Sequence, residues 1–159
     1  ELLIIHYPDG MESLRQILPF TAFIMAAFSA LRLAKFNLDE RQALGFIGMP
    51  TPANALFWGS LIVGYKDLLA EFPYTLYFLL LLMLFMSWLL VSEVPMFALK
   101  FKHWGLTQDN NLVKYGFVLF SAVALCLGQI AAIAVIIVVY ILLSIILACK
   151  SAHKPTLSD

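Results

Sequence analysis

Phe78-Leu79-Leu80-Leu81-Leu82-Met83-Leu84-Phe85 is the most apolar run in the chain. It sits inside a longer stretch, Pro73 to about Val91, that holds no charged side chain. A helix crosses the hydrocarbon core of a bilayer with about 20 predominantly apolar residues, so this stretch reads as a membrane span. The whole chain agrees. Of its 159 residues, 62% are hydrophobic and 13% charged, against roughly 25% charged in a typical soluble domain. Mean hydropathy is +0.91. A soluble globule of this size has too little interior for so much apolar surface, which excludes a soluble enzyme domain. The abundance of Leu, Ile, Val and Phe excludes disorder. Net charge is zero, so bulk charge offers no case for nucleic-acid binding.

Working outward from that run, four more spans emerge. They cover about Ile17–Leu33, Pro52–Leu69, Leu112–Leu127 and Ala131–Ala148, with the central one reaching about Glu93. One straight helix from Leu112 to Ala148 would reach about 55 Å, nearly twice the hydrocarbon core. Gly128-Gln129 is the expected break. The fold class is therefore all-α and integral to the membrane: a single polytopic bundle over residues 1–159 with five transmembrane helices. Basic residues orient it. Arg32, Lys35, Arg41, Lys100, Lys102, Lys114, Lys150 and Lys154 fall on one side of the alternation, and only Arg15 and Lys66 on the other. The first side is expected to be cytoplasmic, together with the C-terminus.

Cys126 and Cys149 lie in apolar runs and read as buried thiols, with no disulfide or zinc spacing. The opening segment is no signal peptide, since His6-Tyr7-Pro8-Asp9-Gly10 interrupts its apolar residues. His6, His103 and His153 are scattered on different sides.

Polar chemistry concentrates at the basic end. In Ser29-Ala30-Leu31-Arg32-Leu33-Ala34-Lys35-Phe36-Asn37, Arg32 and Lys35 share a helix face. They read either as snorkelling anchors or as a cationic clamp for phosphate or carboxylate. In Phe46-Ile47-Gly48-Met49-Pro50-Thr51-Pro52-Ala53-Asn54-Ala55, Thr51 is the expected N-cap, with Pro52 at the first helical position. That helix start is either simply capped or able to hold an anion. Asn54 enters the membrane in the first turn and should face the bundle. Glu93 is expected inside the third helix near its end, paired with Arg32 or Lys35, and Pro95 is expected to kink or stop that helix. Met96, Phe97, Leu99, Lys100, Phe101, Lys102 and Trp104 read as an interfacial segment.

Ala30–Asn37 and Phe46–Leu56, with Leu90–Phe97, closely resemble the serine-transferring branch of the CDP-alcohol phosphatidyltransferase family. The resemblance covers the first two-thirds of the chain in motif detail. It implies transfer of a phosphatidyl group from CDP-diacylglycerol to L-serine in a bacterial cytoplasmic membrane, with release of CMP. It also implies a homodimer and an eight-helix fold, of which this chain would be the C-terminal part. Arg32, Lys35, Asn37, Thr51 and Asn54 would line the substrate pocket. The family's catalytic signature, DxxDGxxAR…GxxxDxxxD, binds a divalent metal (Mg or Mn) and supplies the base. It precedes the Arg32 segment in the family and has no match here. Asp9-Gly10 lacks its partners, and the chain opens on Glu1 without an initiator Met. The expectation is therefore a fragment, inactive alone, with no catalytic or metal-binding residue of its own. Another acceptor alcohol, or a membrane scaffold or transporter piece, are the rival readings.

Overall fold

The computed structural model describes residues 18–38, 46–96 and 111–152. A 3-10 turn at Leu18–Thr21 leads into α1, Ala22–Leu38. A two-residue strand, β1, Phe46–Ile47, precedes α2, Thr51–Glu71. Then come α3, Thr75–Val91, a second short strand, β2, Pro95–Met96, and α4, Asn111–Ala152. The all-α class holds, with one small antiparallel ribbon that pairs Phe46 with Met96 and Ile47 with Pro95. Helix α1 packs mainly on α3, and α2 mainly on α4. Met49, Phe57, Met86, Leu89, Met96, Ala134, Ile137 and Ile141 form the principal core.

Expected and observed boundaries differ in instructive places. Helix α1 continues to Leu38, past the expected end of the span at Leu33, so Asn37 is helical as well. Helix α3 stops at Val91, which puts Glu93 beyond the helix. Pro95 is part of β2, where its missing N–H is harmless at the edge of a two-stranded ribbon. The cap of α2 is Pro50 and not Thr51, and no side chain caps it. Pro50 already has the extended φ/ψ of a cap residue, and the Asn54 N–H finds the Pro50 carbonyl at 3.1 Å. Both cysteines are free and exposed, not buried, since each sits on an outward face of α4. Arg15, Arg41, Lys154, His6, His153, Asp9-Gly10 and the segment from Phe97 to Trp104 lie outside the described residues.

The long α4 is not one rod. Gln129 has φ 49° and ψ −129°, close to the first central residue of a type II′ turn at about +60°, −120°. The rings of Phe117 and Tyr140 lie 6.1 Å apart between centroids. Residues 23 apart on a straight helix would be about 35 Å apart. The chain therefore folds back on itself, as an αα-hairpin with arms 111–128 and 130–152. The expected break is there, but the left-handed backbone falls on Gln129 and not on Gly128. By length and composition, Asn111–Lys150 is the one helix among the described residues apolar and long enough to cross a membrane, and Thr75–Val91 is a shorter apolar helix.

The two ends of the bundle close differently. At one end, a Cβ on Gly64 would come within 2.6 Å of Ala131 Cα, so α2 and the second arm of α4 touch there backbone to backbone. Nearby, the buried Thr75 hydroxyl donates to the carbonyls of Leu69 and Phe72 and ties the α2–α3 connection. At the other end, Gly48 has φ 74° and lies against the carbonyls of Ser92 and Leu90, which a Cβ would approach to 2.7 and 2.8 Å.

Gly48→Ala is expected to lower stability by at least the ~1–3 kcal/mol of a strained backbone position. Gly59→Ala, where nothing lies within 4 Å, should be neutral or mildly stabilising. Gln129→Gly should raise stability by about 1 kcal/mol by relieving the turn. Thermal unfolding of the three variants in detergent checks all of this, and equal midpoints for Gly48→Ala and Gly59→Ala would contradict the contact.

Candidate functional site: a basic clamp over the end of α3

The last carbonyls of a helix have no partner within it. At the end of α3 they are met by groups from three directions. The Ser92 N–H bonds the Trp88 carbonyl at 3.0 Å. The Leu89 carbonyl accepts from the Met49 N–H at 3.0 Å and the Ser92 hydroxyl at 2.9 Å. The Val91 carbonyl accepts from Lys35 Nζ at 3.2 Å. Meanwhile the Gly48 N–H bonds the Val94 carbonyl at 2.8 Å, extending the β1–β2 ribbon. The segment 46–50 is thus laid across the end of α3 like a cover.

Arg32 holds that cover from below. It is buried, at 5% exposure, and its Nε donates to the Met49 carbonyl at 2.5 Å. Its guanidinium carbon lies 6.0 Å from the centre of the Phe36 ring, one turn further along α1, within the distance of a cation–π contact. Tyr140, on the second arm of α4, is close enough to interact electrostatically with Arg32. Among the described residues, the two terminal nitrogens of Arg32 donate no hydrogen bond. A buried guanidinium whose Nε is committed and whose outer fork is open suits the oxygen pair of a carboxylate or phosphate.

Lys35 takes the expected partner. Its Nζ is 3.3 Å from Glu93 Oε1, with side-chain exposures of 36% and 70%. Lys35 therefore bridges Val91 and Glu93, while Arg32 serves Met49 alone. Asn54 faces the bundle as expected, at 3% exposure, and its Oδ1 has no hydrogen-bond partner. Trp58 Nε1, one turn further on α2, and Ser87 Oγ on α3 are likewise buried and unpartnered. The Met49–Leu89 bond sets the level of the two helices, so Asn54 and Ser87 lie within about one turn of the same depth. Other helical serines, including Ser60, Ser121 and Ser144, satisfy their hydroxyls on a carbonyl three or four residues back. Ser87 does not use that route. Thr51 is the first residue of α2, partly exposed. Asn37 is exposed near the end of α1, and no hydrogen bond with a described residue draws it into the cluster.

Arg32, the start of α2 with Asn54, and Lys35 are thus gathered around one loop, and Asn37 is not. Tyr140 was not anticipated. Its signal was available: Tyr140 and Ser144 are the only polar residues between Ala131 and Ala148, and they stand four apart on one face. No protein-family model, curated protein or solved structure matches this chain.

Among the described residues no group of three or more His, Cys, Asp or Glu is placed to hold a metal ion. The divalent metal that the family resemblance implies does not fit these residues.

Arg32→Ala should destabilise the protein by about 1–3 kcal/mol, because it leaves the Met49 carbonyl unpaired in the interior. Glu93→Gln should cost under about 1 kcal/mol, because its pair is largely exposed. Hydrogen exchange at the amides of Gly48 and Met49 should accelerate in Arg32→Ala and not in Glu93→Gln. The opposite order would contradict the clamp.

Proposed function

We propose that this chain is the pocket-bearing part of a membrane-embedded phosphatidyltransferase that moves the phosphatidyl group of CDP-diacylglycerol to L-serine. The observation that carries the reading is a convergence. Three separated stretches resemble the serine-transferring branch: Ala30–Asn37, Phe46–Leu56 and Leu90–Phe97. Their described residues meet in one hydrogen-bonded assembly, through Arg32 to Met49, Gly48 to Val94, and Lys35 to Val91 and Glu93. Nothing in composition or periodicity requires residues 32, 49, 93 and 94 to meet.

The membrane part of the proposal is supported by the exterior. Large apolar side chains such as Phe23, Leu33, Val63, Leu81, Leu119 and Leu127 are exposed on every helix. Only 28% of the most apolar window of α4 is buried, unlike the core helix of a soluble protein. Its two arms, about 27 and 35 Å long, each approximate the ~30 Å hydrocarbon core. In this reading the two arms, together with α1, α2 and α3, would make five spans. The alternation then puts Arg32, Met49, Glu93 and Cys149 at one level, which the basic residues mark as cytoplasmic.

In the reaction, the serine hydroxyl oxygen forms a bond to the phosphorus that carries diacylglycerol. The bond from that phosphorus to the bridging oxygen of the pyrophosphate breaks, CMP leaves, and the serine proton passes to a base. The base is not among the residues of the clamp. Their part is binding. The open fork of Arg32 takes a phosphate or the serine carboxylate, in a setting from which water is largely excluded. Asn54 Oδ1 can accept from a hydroxyl or ammonium of the acceptor. Lys35, already spent on Val91 and Glu93, holds the cover and binds substrate less directly than spacing alone implied.

The test is release of CMP from CDP-diacylglycerol and serine, with divalent metal, by the protein expressed from its complete open reading frame. Arg32→Lys keeps a cation able to reach the Met49 carbonyl but loses the fork. It should stay folded and lose about 10- to 100-fold in turnover. Unchanged turnover would remove Arg32 from the pocket. Release only with glycerol phosphate or inositol phosphate would keep the family and change the acceptor. No release with any acceptor would leave the bundle a scaffold.

A further inference from the structure

Beside the clamp lies a groove that the proposed reaction does not use. It is an open trough of about 530 Å³. Trp88, Val91 and Pro95 form one wall, and Ile145 and Ala148 of α4 form the other. These walls offer hydrocarbon contact and almost no hydrogen bonding. The charges sit at its lip. Glu93 lines the groove and is 70% exposed, with Lys35 Nζ at 3.3 Å.

An apolar trough with both signs of charge at its mouth discriminates among occupants. A lipid with an anionic headgroup would meet Lys35 but be repelled by Glu93. A cationic amphiphile would meet Glu93 but be repelled by Lys35. A headgroup that carries a phosphate and an ammonium satisfies both. Lys35 uses two of its three N–H groups, on Val91 and Glu93, and keeps one for a phosphate oxygen. Among the described residues Glu93 Oε2 accepts no hydrogen bond, which leaves it for an ammonium.

We infer that this groove is a binding site for a zwitterionic bilayer phospholipid, with an acyl chain between α3 and α4, its ammonium on Glu93 and its phosphate on Lys35. The site rests on the membrane-embedded reading and is independent of the transfer reaction. The headgroup contacts are at the surface and individually weak; the chain in the trough adds affinity in proportion to the apolar area it buries.

The experiment is reconstitution in nanodiscs of equal phosphatidylethanolamine and phosphatidylglycerol, followed by transfer to detergent and native mass spectrometry of the lipid that stays bound. Phosphatidylethanolamine should be retained about tenfold over phosphatidylglycerol. Ala148→Trp, which fills the trough, should abolish retention. Glu93→Gln, a change at an exposed side chain that leaves folding intact, should bring the ratio close to parity. Equal retention of the two lipids by the unaltered protein would overturn the site while leaving the membrane reading in place. So would an unchanged preference in Glu93→Gln. Recovery of the protein from cells in the soluble fraction would instead remove the membrane reading and this site with it.

Discussion

The carbonyls at the C-terminal end of α3 must find donors, and the organisation of one whole end of the protein follows from that need. Trp88, Leu89 and Val91 present oxygens that their own helix cannot satisfy. Where burial keeps water away, an unpaired carbonyl is costly. Donors arrive from the Ser92 amide and hydroxyl, from the Met49 amide, and from Lys35. The Met49 and Lys35 donors each bring another piece of chain with them. The connection after α1 is drawn across α3, β1 pairs with β2, and α2 starts where Pro50 leaves it. Gly48 is the geometric condition for this closure. Its positive φ and missing side chain let the backbone pass over the Ser92 and Leu90 carbonyls.

That closure gives the basic residues two roles. Arg32 and Lys35 are donors to backbone carbonyls of other segments before they are anything else. What distinguishes them is what remains. Lys35 is largely used, between Val91 and an exposed carboxylate. Arg32 spends one nitrogen on Met49 and keeps its fork, in a buried place where an unpaired cation is expensive. The unpartnered Asn54, Trp58 and Ser87 add to the same imbalance. A bundle that otherwise satisfies its hydroxyls helix by helix leaves these polar groups open within a few turns of the clamp, as a binding pocket does.

The opposite end is held by contact and not by hydrogen-bonded cover. Gly64 against Ala131 lets α2 and the second arm of α4 approach to backbone distance, as small residues do between helices in apolar surroundings. The fold-back at Gln129 brings Tyr140 beside Phe117 and within reach of Arg32. A straight α4 would carry Tyr140 far from the first arm and leave the groove beside Glu93 without its second wall.

Much of this was written in the chain itself. The apolar runs fixed the helices to within a few residues, because a helix that buries no polar backbone needs only length and hydrophobicity to be legible. The break near Gly128 followed from length alone, and a pairing of Glu93 with Arg32 or Lys35 from matching depth. Other features were beyond local pattern. That α1 runs on through Asn37, that Glu93 lies past its helix, and that Pro50 rather than Thr51 caps α2 depend on which backbone groups other segments satisfy. The ribbon between Phe46–Ile47 and Pro95–Met96 is too short to carry a strand signature. The assignment of Met49, not Glu93, as the partner of Arg32, and the arrival of Tyr140 from more than 100 residues away, are decided only by tertiary structure. Periodicity reports which face of a helix is apolar; which donor meets which orphaned carbonyl depends on how the segments lie across one another in three dimensions.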